Sequence, residues 1–179
     1  MTPEVTIHPF EKIVCHLLNA VRAAIEERFG LQTAIGEELA APSQAYSRER
    51  GQYLSSPFLD LLAGRARGGN QILLGVTGLD LYAPELNFVF GEASSAGRVA
   101  VISIARLYSM TSPEKDREKT VERRAGAEAI HELGHVFNLS HCSRRDCVMW
   151  FSNTLAETDR KGTRFCPQHF QELRQAMQR

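Results

Sequence analysis

Two histidines and a glutamate occupy a spacing that can hold a metal ion and activate water. His131 and His135 stand four positions apart, and Glu132 directly follows the first histidine. On a helix this spacing places both imidazoles on one face, one turn apart. Two imidazoles so placed can bind one zinc ion, and the adjacent carboxylate can act on the metal's water. The pattern therefore predicts zinc-dependent hydrolysis.

A third histidine follows at a distance that needs a turn in the chain. His141 comes six residues after His135 and cannot lie on the same helix face. The chain must leave the helix and turn back, which requires a residue that tolerates positive φ. Asn138 stands there, and asparagine visits the left-handed region more readily than other non-glycine residues. We therefore predict that Asn138 makes the turn and that His141 is the third zinc ligand.

A second set of metal-binding residues is interleaved with the first. Cys142 directly follows His141, and Cys147, Cys166 and His169 come after it. Three thiolates and one imidazole make a closed tetrahedral zinc site of the structural kind. The alternative is that these cysteines are ordinary buried thiols. We expect a second, structural zinc that ties the C-terminal tail to the segment carrying His141.

These positions together resemble the signature of the archaemetzincins, zinc metallopeptidases of the metzincin clan. The signature spans positions 131–169 and is, in order, His131-Glu132-x-x-His135-x-x-Asn138-x-x-His141-Cys142-x4-Cys147-x-Met149 with Cys166-x-x-His169. The family has glycine where this chain has Asn138, and cysteine where it has His169. In metzincins a methionine in a tight turn lies beneath the catalytic zinc, and the resemblance implies that Met149 does so here.

The resemblance also implies a metzincin-like α/β fold: a single domain over residues 1–179 with a twisted mixed sheet and an active-site helix. Residues 1–137 would form the sheet and its helices, and residues 138–179 a small C-terminal subdomain stapled by zinc. In that fold an antiparallel edge strand above the cleft pairs with extended substrate. We expect residues 86–90 to form this strand.

The apolar periodicity predicts the elements that must position these side chains. We predict strands over residues 5–8, 31–35, 71–76, 86–90 and 99–104. We predict helices over residues 9–30, 56–64 and 112–137 and a short one from about 168. The Ser56-Pro57 and Ser112-Pro113 pairs suit helix starts, and Gly30 suits a helix end. This order is typical of a mixed sheet flanked by helices.

Composition limits the classes of protein to which the chain can belong. Lys and Arg total 21 and Asp and Glu total 21, so no basic surplus favours nucleic acid. No apolar run approaches the ~20 residues that span a bilayer. The N-terminal residues lack the basic and apolar regions of a secretory signal, and we expect a cytoplasmic monomer without nucleic-acid or membrane partners.

The residues favour one function over a rival. The first is a zinc peptidase in which Glu132 is the general base, the substrate is a peptide and two zinc ions are bound, one catalytic and one structural. The rival is a non-catalytic or latent module that binds zinc and peptides without turnover. Only Glu132 argues against the rival, since a pure binding module has no need of it.

Overall fold

The computed structural model describes residues 3–108 and 114–178 of the 179-residue chain. The strands are β1 (Glu4–Phe10), β2 (Gln32–Ile35), β3 (Tyr46–Ser47), β4 (Gln52–Leu54), β5 (Gln71–Thr77), β6 (Leu81–Tyr82), β7 (Gly91–Ser94) and β8 (Val99–Ser103). The helices are α1 (Cys15–Phe29), α2 (Ser56–Arg65), α3 (Glu114–Val136), α4 (Leu155–Lys161) and α5 (Pro167–Ala176).

The main sheet has five strands in the order β2-β1-β5-β8-β7. Strands β2, β1, β5 and β8 pair in parallel, and β7 pairs antiparallel with β8. Central parallel strands are covered on both faces and read as continuous apolar runs, and β5 is accordingly buried at every position after Gln71. Strands β3, β4 and β6 form a small second sheet. The architecture confirms a mixed α/β domain.

Helices cover both faces of the main sheet, because the strands bury alternate side chains on opposite sides. One face packs against α1 and α3 through a cluster that includes Ile7, Leu74, Ile102, Val21, Ile25, Ala129 and Leu133. The other face packs against α2 through a cluster that includes Phe10, Leu73, Val101, Phe58 and Leu62. Helix α3, which carries the histidine pair, is therefore held directly against the sheet.

Most predicted elements are confirmed to within a few residues. The predicted strands 5–8, 31–35, 71–76 and 99–104 correspond to β1, β2, β5 and β8, and the predicted helices correspond to α1, α2, α3 and α5. Gly30 ends α1 with a φ of 66°, and its N–H donates to the carbonyl of Glu26. The predicted start at Ser112-Pro113 lies outside the described residues. Helix α4 and strands β3, β4 and β6 were not predicted. These strands have only two or three residues, and α4 has two turns, too few to give a clear periodic pattern.

The prediction of where the first helix begins was wrong. Helix α1 begins at Cys15, whereas Pro9 and Phe10 extend β1 and pair with Val76 and Thr77 of β5. The apolar residue that was assigned to the helix, Phe10, is instead buried by the sheet face beneath α2. Cys15 itself is exposed.

The prediction of the edge strand was also misplaced. Residues 86–90 form an irregular segment, in which only Val89 makes a bridge, to Leu81. The antiparallel edge strand is β7, directly after this segment. Arg50 donates to the carbonyls of Leu86 and Asn87 over 2.8 and 3.2 Å, so these backbone groups are held by a side chain rather than by a strand. Within the described residues, no helix is long and apolar enough to cross a membrane.

Candidate functional site

The three histidines predicted to bind zinc meet at the C-terminal end of α3. The Nε2 atoms of His131 and His135 lie 3.2 Å apart, and the ring centroid of His141 is 5.4 Å from that of His131 and 4.7 Å from that of His135. One nitrogen from each ring lies within 4.8 Å of the others. Two imidazole nitrogens on a tetrahedral zinc ion are about 3.3 Å apart. The donor set therefore fits zinc in both chemistry and spacing.

Backbone carbonyls orient two of these imidazoles. The Nδ1–H of His131 donates to the carbonyl of Val148 over 2.7 Å, and that of His135 to the carbonyl of Leu139 over 2.8 Å. With Nδ1 occupied as a donor, Nε2 presents a lone pair to a metal. Burial lowers the pKa of His131, His135 and His141, which favours the neutral form that a metal requires.

The turn after α3 is made by Asn138. Its φ is 62°, in the left-handed region, and its N–H donates to the carbonyl of His135 over 2.9 Å. The N–H of Leu139 then donates to the carbonyl of Gly134 over 3.0 Å, which closes the helix end. This reversal returns the chain toward the helix and brings His141 to the histidine pair.

Glu132 lies beneath the edge strand, beside the three histidines. Its side chain is buried, and burial raises its pKa to about 8, with the carboxylate of Glu128 adding to the rise and Lys161 opposing it. The backbone of β7 passes directly over this side chain. A Cβ on Gly91 would lie 2.6 Å from Cγ of Glu132, so only glycine fits here without displacing the glutamate.

Met149 is packed under α3, the helix that carries His131 and His135. It is fully buried, and its sulfur would collide with any Cβ added at Gly134, between the two helical histidines. Its carbonyl accepts the N–H of Cys142 over 2.9 Å. Met149 therefore lies below the helix turn that carries His131 and His135, and it contacts the start of the cysteine cluster.

The structure also gathers the four residues of the predicted closed zinc site. One ligand atom from each of Cys142, Cys147, Cys166 and His169 lies within 4.8 Å of the others. The sulfurs of Cys142 and Cys166 are 3.9 Å apart, and Nδ1 of His169 is 3.3 Å from the Cys166 sulfur. The Nε2–H of His169 donates to the carbonyl of Ser140 over 3.0 Å, which leaves Nδ1 facing the sulfurs.

The electrostatics of this cluster favour a thiolate at Cys166, whereas burial raises the pKa of the Cys147 thiol to about 12. Burial opposes ionisation of Cys166, but hydrogen bonds from the backbone and side chain of His169 lower its pKa to about 7. Three sulfurs and one imidazole nitrogen in a buried pocket are the donor set of structural zinc. The chemistry of the residues thus fits a closed site with no position for a substrate.

A buried polar cluster beside the histidines was not predicted. Nζ of Lys161 lies 3.2 Å from one carboxylate oxygen of Glu128, and the hydroxyl of Thr158 donates to the other over 3.0 Å. Lys161 and Thr158 belong to α4, and Glu128 lies one helical turn before Glu132. The separation of Glu128 from Lys161 has no periodic signature, so the sequence gives no signal for this pair. These contacts dock α4 against α3.

Comparison with known proteins places these features in one family. The sequence model of peptidase family M54 matches residues 6–175. The archaemetzincin of Methanopyrus kandleri is 51% identical over 125 residues, which cover 70% of this chain and 67% of that protein. That of Methanocaldococcus jannaschii is 38% identical over 176 residues, covering 97% and 94%. A crystal structure of the Methanopyrus kandleri archaemetzincin is similar with a TM-score of 0.88, at 36% identity, over 99% of this chain and 97% of that one.

Proposed function

This chain belongs to peptidase family M54, a family of zinc metallopeptidases, and we propose that it hydrolyses peptide bonds at a zinc ion held by His131, His135 and His141. The observation that carries the proposal is the convergence of three imidazoles beside the buried carboxylate of Glu132, under an edge strand. A metal-binding module without turnover would have no use for a carboxylate at that position.

The residues of the chain divide the work of hydrolysis. When bound, zinc supplies Lewis acidity, which lowers the pKa of bound water toward ~7 and polarises a carbonyl oxygen. His131, His135 and His141 would hold the metal, and the carbonyls of Val148 and Leu139 fix the orientation of the first two rings. Glu132 accepts the proton of the attacking water and later passes it to the leaving amine.

Strand β7 supplies the means to align an extended peptide. It pairs with β8 along one side, and it lies at the edge of the main sheet. An edge strand offers backbone N–H and C=O groups to a peptide that adds as a further strand. Because Gly91 lies over Glu132, a peptide bound along β7 brings its backbone close to the general base.

For the cluster of Cys142, Cys147, Cys166 and His169 we propose a second zinc with a structural role. The support is the closed donor set and the tautomer of His169 that its bond to Ser140 favours. A metal bound there contributes to folding free energy, because the unfolded chain has no preformed site. It also secures the segment that delivers His141.

The first experiment compares the zinc-loaded protein with the variant Glu132→Ala on a diverse peptide mixture, with new termini read by mass spectrometry. We expect cleavage by the unmodified protein alone and an unchanged zinc content in both proteins. The cut positions then separate end-trimming from internal cleavage. Equal peptide patterns with full zinc content would overturn the peptidase proposal in favour of a latent enzyme or a peptide-binding module.

A further inference from the structure

A small cavity opens beside the catalytic histidines. Its volume is about 50 Å³, and it extends between His131 and Glu132 on one side and the segments 86–91 and 151–153 on the other. Aromatic side chains form much of its wall, namely Phe88, Phe90 and Phe151. Leu86 and Phe151, which also line the cavity, are 40% and 42% exposed to solvent. The cavity is therefore open to a molecule in the cleft.

One polar group of this lining lacks a partner. Ser152 is 9% exposed, and within residues 3–108 and 114–178 its Oγ has no hydrogen-bond partner and almost no exposed surface. A buried hydroxyl without a partner costs about 1–3 kcal/mol of folding free energy. Ser152 lines the cavity, and a rotation about its Cα–Cβ bond that turned the hydroxyl into the cavity would break no hydrogen bond. After that rotation Ser152 can pair with a group that enters.

The size of the cavity limits that group. About 10–15 Å³ is needed for each water-sized occupant, so the cavity takes roughly four non-hydrogen atoms. A side chain that fits therefore has at most about four non-hydrogen atoms, counted from Cβ outward. Long basic side chains and aromatic side chains are too large for the space that the structure shows.

The charges around the cavity limit the group further. Glu128 and Lys161, which also line it, satisfy each other over 3.2 Å, and both side chains are almost wholly buried. Lys161 is already paired and cannot turn to an incoming anion without leaving Glu128 alone. A neutral hydrogen-bonding side chain is therefore favoured over an acidic one.

We propose that Ser152 selects peptides that carry a short, neutral, hydrogen-bonding side chain, that of serine, threonine or asparagine, at one position next to the scissile bond. This inference rests on the proposed peptidase function and names the substrate class of the same site. The hydroxyl of Ser152 pairs with the hydroxyl or amide of the substrate, and the aromatic wall contacts its carbon atoms. An apolar side chain of equal shape fills the cavity but leaves Ser152 without a partner.

The test uses pairs of ligands that differ only in that hydrogen bond. Short peptides ending in a hydroxamate, which chelates zinc, carry threonine or valine, and asparagine or leucine, next to the chelating group. Their affinities for the zinc-loaded protein, measured by calorimetry, are compared between the unmodified chain and Ser152→Ala. We expect the polar member of each pair to bind roughly threefold to tenfold more tightly to the unmodified protein.

In Ser152→Ala we expect that preference to disappear while the affinity for the apolar member is unchanged or higher. Ser95→Ala is the matched control, since Ser95 lies in the turn between β7 and β8 and does not line the cavity. The free Ser152→Ala protein should unfold at the same or a higher urea concentration, because the lost hydroxyl has no partner. A marked loss of stability would show that the hydroxyl is committed to the fold and would overturn the proposal.

The outcomes separate this inference from the proposed function. Selective hydroxamate binding with no peptide cleavage supports the Ser152 site and overturns the peptidase proposal. Cleavage of peptides with equal affinity for threonine and valine ligands overturns the Ser152 site alone. A preference that survives in Ser152→Ala also overturns it, because another group would then make the hydrogen bond.

Discussion

The carbonyl of Val148 accepts the Nδ1–H of His131 over 2.7 Å, and this hydrogen bond links the histidine cluster to the segment that carries Cys147. Val148 stands between Cys147, whose sulfur belongs to the cysteine cluster, and Met149, which packs under α3. The segment 147–149 therefore contributes to one cluster with a side chain and to the other with a backbone group. His141 and Cys142 form a second link, since they are adjacent in the chain.

The first prediction follows from this linkage. Cys166→Ser removes one thiolate of the closed cluster and frees the segment that holds Val148 and His141. We expect zinc to be lost from the cluster, and the affinity of the histidine site for zinc to fall about 10–100-fold, the usual cost of losing support for a ligand. The measurement is zinc content and competition against a chelator, with thermal unfolding alongside.

Cys15→Ser is the matched control for that variant, because Cys15 is an exposed thiol at the start of α1 and lies outside the cluster. It should keep both zinc affinities and the unfolding temperature. If Cys166→Ser loses one zinc and retains full affinity at the histidines, the two clusters are independent and the proposed coupling is wrong.

The sequence predicted which candidate ligands the fold brings together, because the information for these residues is local. The histidine pair is one helical turn apart, and Asn138 and His141 follow within six residues, so spacing alone defines the geometry. The edge strand was harder to predict. Residues 86–90 are more apolar than Gly91–Ser94 and therefore look more like a strand. However, the side chains of Arg50 and Gln52 donate hydrogen bonds to the carbonyl of Asn87, in place of a neighbouring strand. Such contacts depend on the tertiary fold.

The contacts between Glu128 and Lys161 and the burial of the Ser152 hydroxyl illustrate the same limit. A buried ion pair between residues 33 positions apart leaves no periodic trace in the sequence. A serine without a partner differs from other serines only by its surroundings. The sequence therefore identified the side chains that the fold gathers into the two clusters. The residues that line the cavity beside them depend on how α4 packs against α3, which the sequence does not show.

The second prediction concerns the close approach of β7 to the general base. In Gly91→Ala the new Cβ would lie 2.6 Å from Cγ of Glu132, so the glutamate must move. We expect kcat to fall by about 10²-fold or more, the contribution typical of a general base, with zinc content unchanged. The strain should also cost about 1–3 kcal/mol of stability, measured by urea unfolding.

Gly64→Ala tests whether the loss is specific to that contact. Gly64 lies in α2 with no atom within 4 Å of an added Cβ. Alanine there should raise the free energy of unfolding by about 0.5–1 kcal/mol and leave kcat unchanged. Full activity in Gly91→Ala would mean that Glu132 is not the base or that it tolerates displacement.

The third prediction is a pH dependence of stability at the contact between α4 and α3. Asp159 accepts hydrogen bonds from Nε and Nη2 of Arg124 over 2.8 and 2.7 Å and also pairs with Arg123. The hydrogen bonds from Arg124 lower the pKa of Asp159 below its ordinary 3.8, and Arg123 adds to that effect. The stabilisation is therefore complete above the unfolded pKa and is lost as the pH falls through the folded pKa.

The measurement is urea unfolding of the unmodified protein and Asp159→Asn at a series of pH values. The difference between their free energies of unfolding should be constant down to about pH 5. It should shrink as the pH falls below the pKa of an aspartate in the unfolded chain. Asp60→Asn, on α2, is the control for the substitution itself. A gap that is the same at all pH values would show that the charge of Asp159 does not stabilise the fold.

The fourth prediction concerns the turn at Asn138. Its φ of 62° costs a β-branched residue about 1–2 kcal/mol, whereas glycine adopts this conformation freely. Asn138→Val should therefore unfold at a lower urea concentration than Asn138→Gly. The carbonyl of the next residue, Leu139, holds His135, and the chain beyond it delivers His141, so a distorted turn moves two ligands together. We expect Asn138→Val to bind zinc at the histidines about 10–100-fold more weakly than Asn138→Gly, measured by chelator competition.

Equal zinc affinity in the two variants, with the expected difference in stability, would show that the turn supports the fold but does not position the ligands.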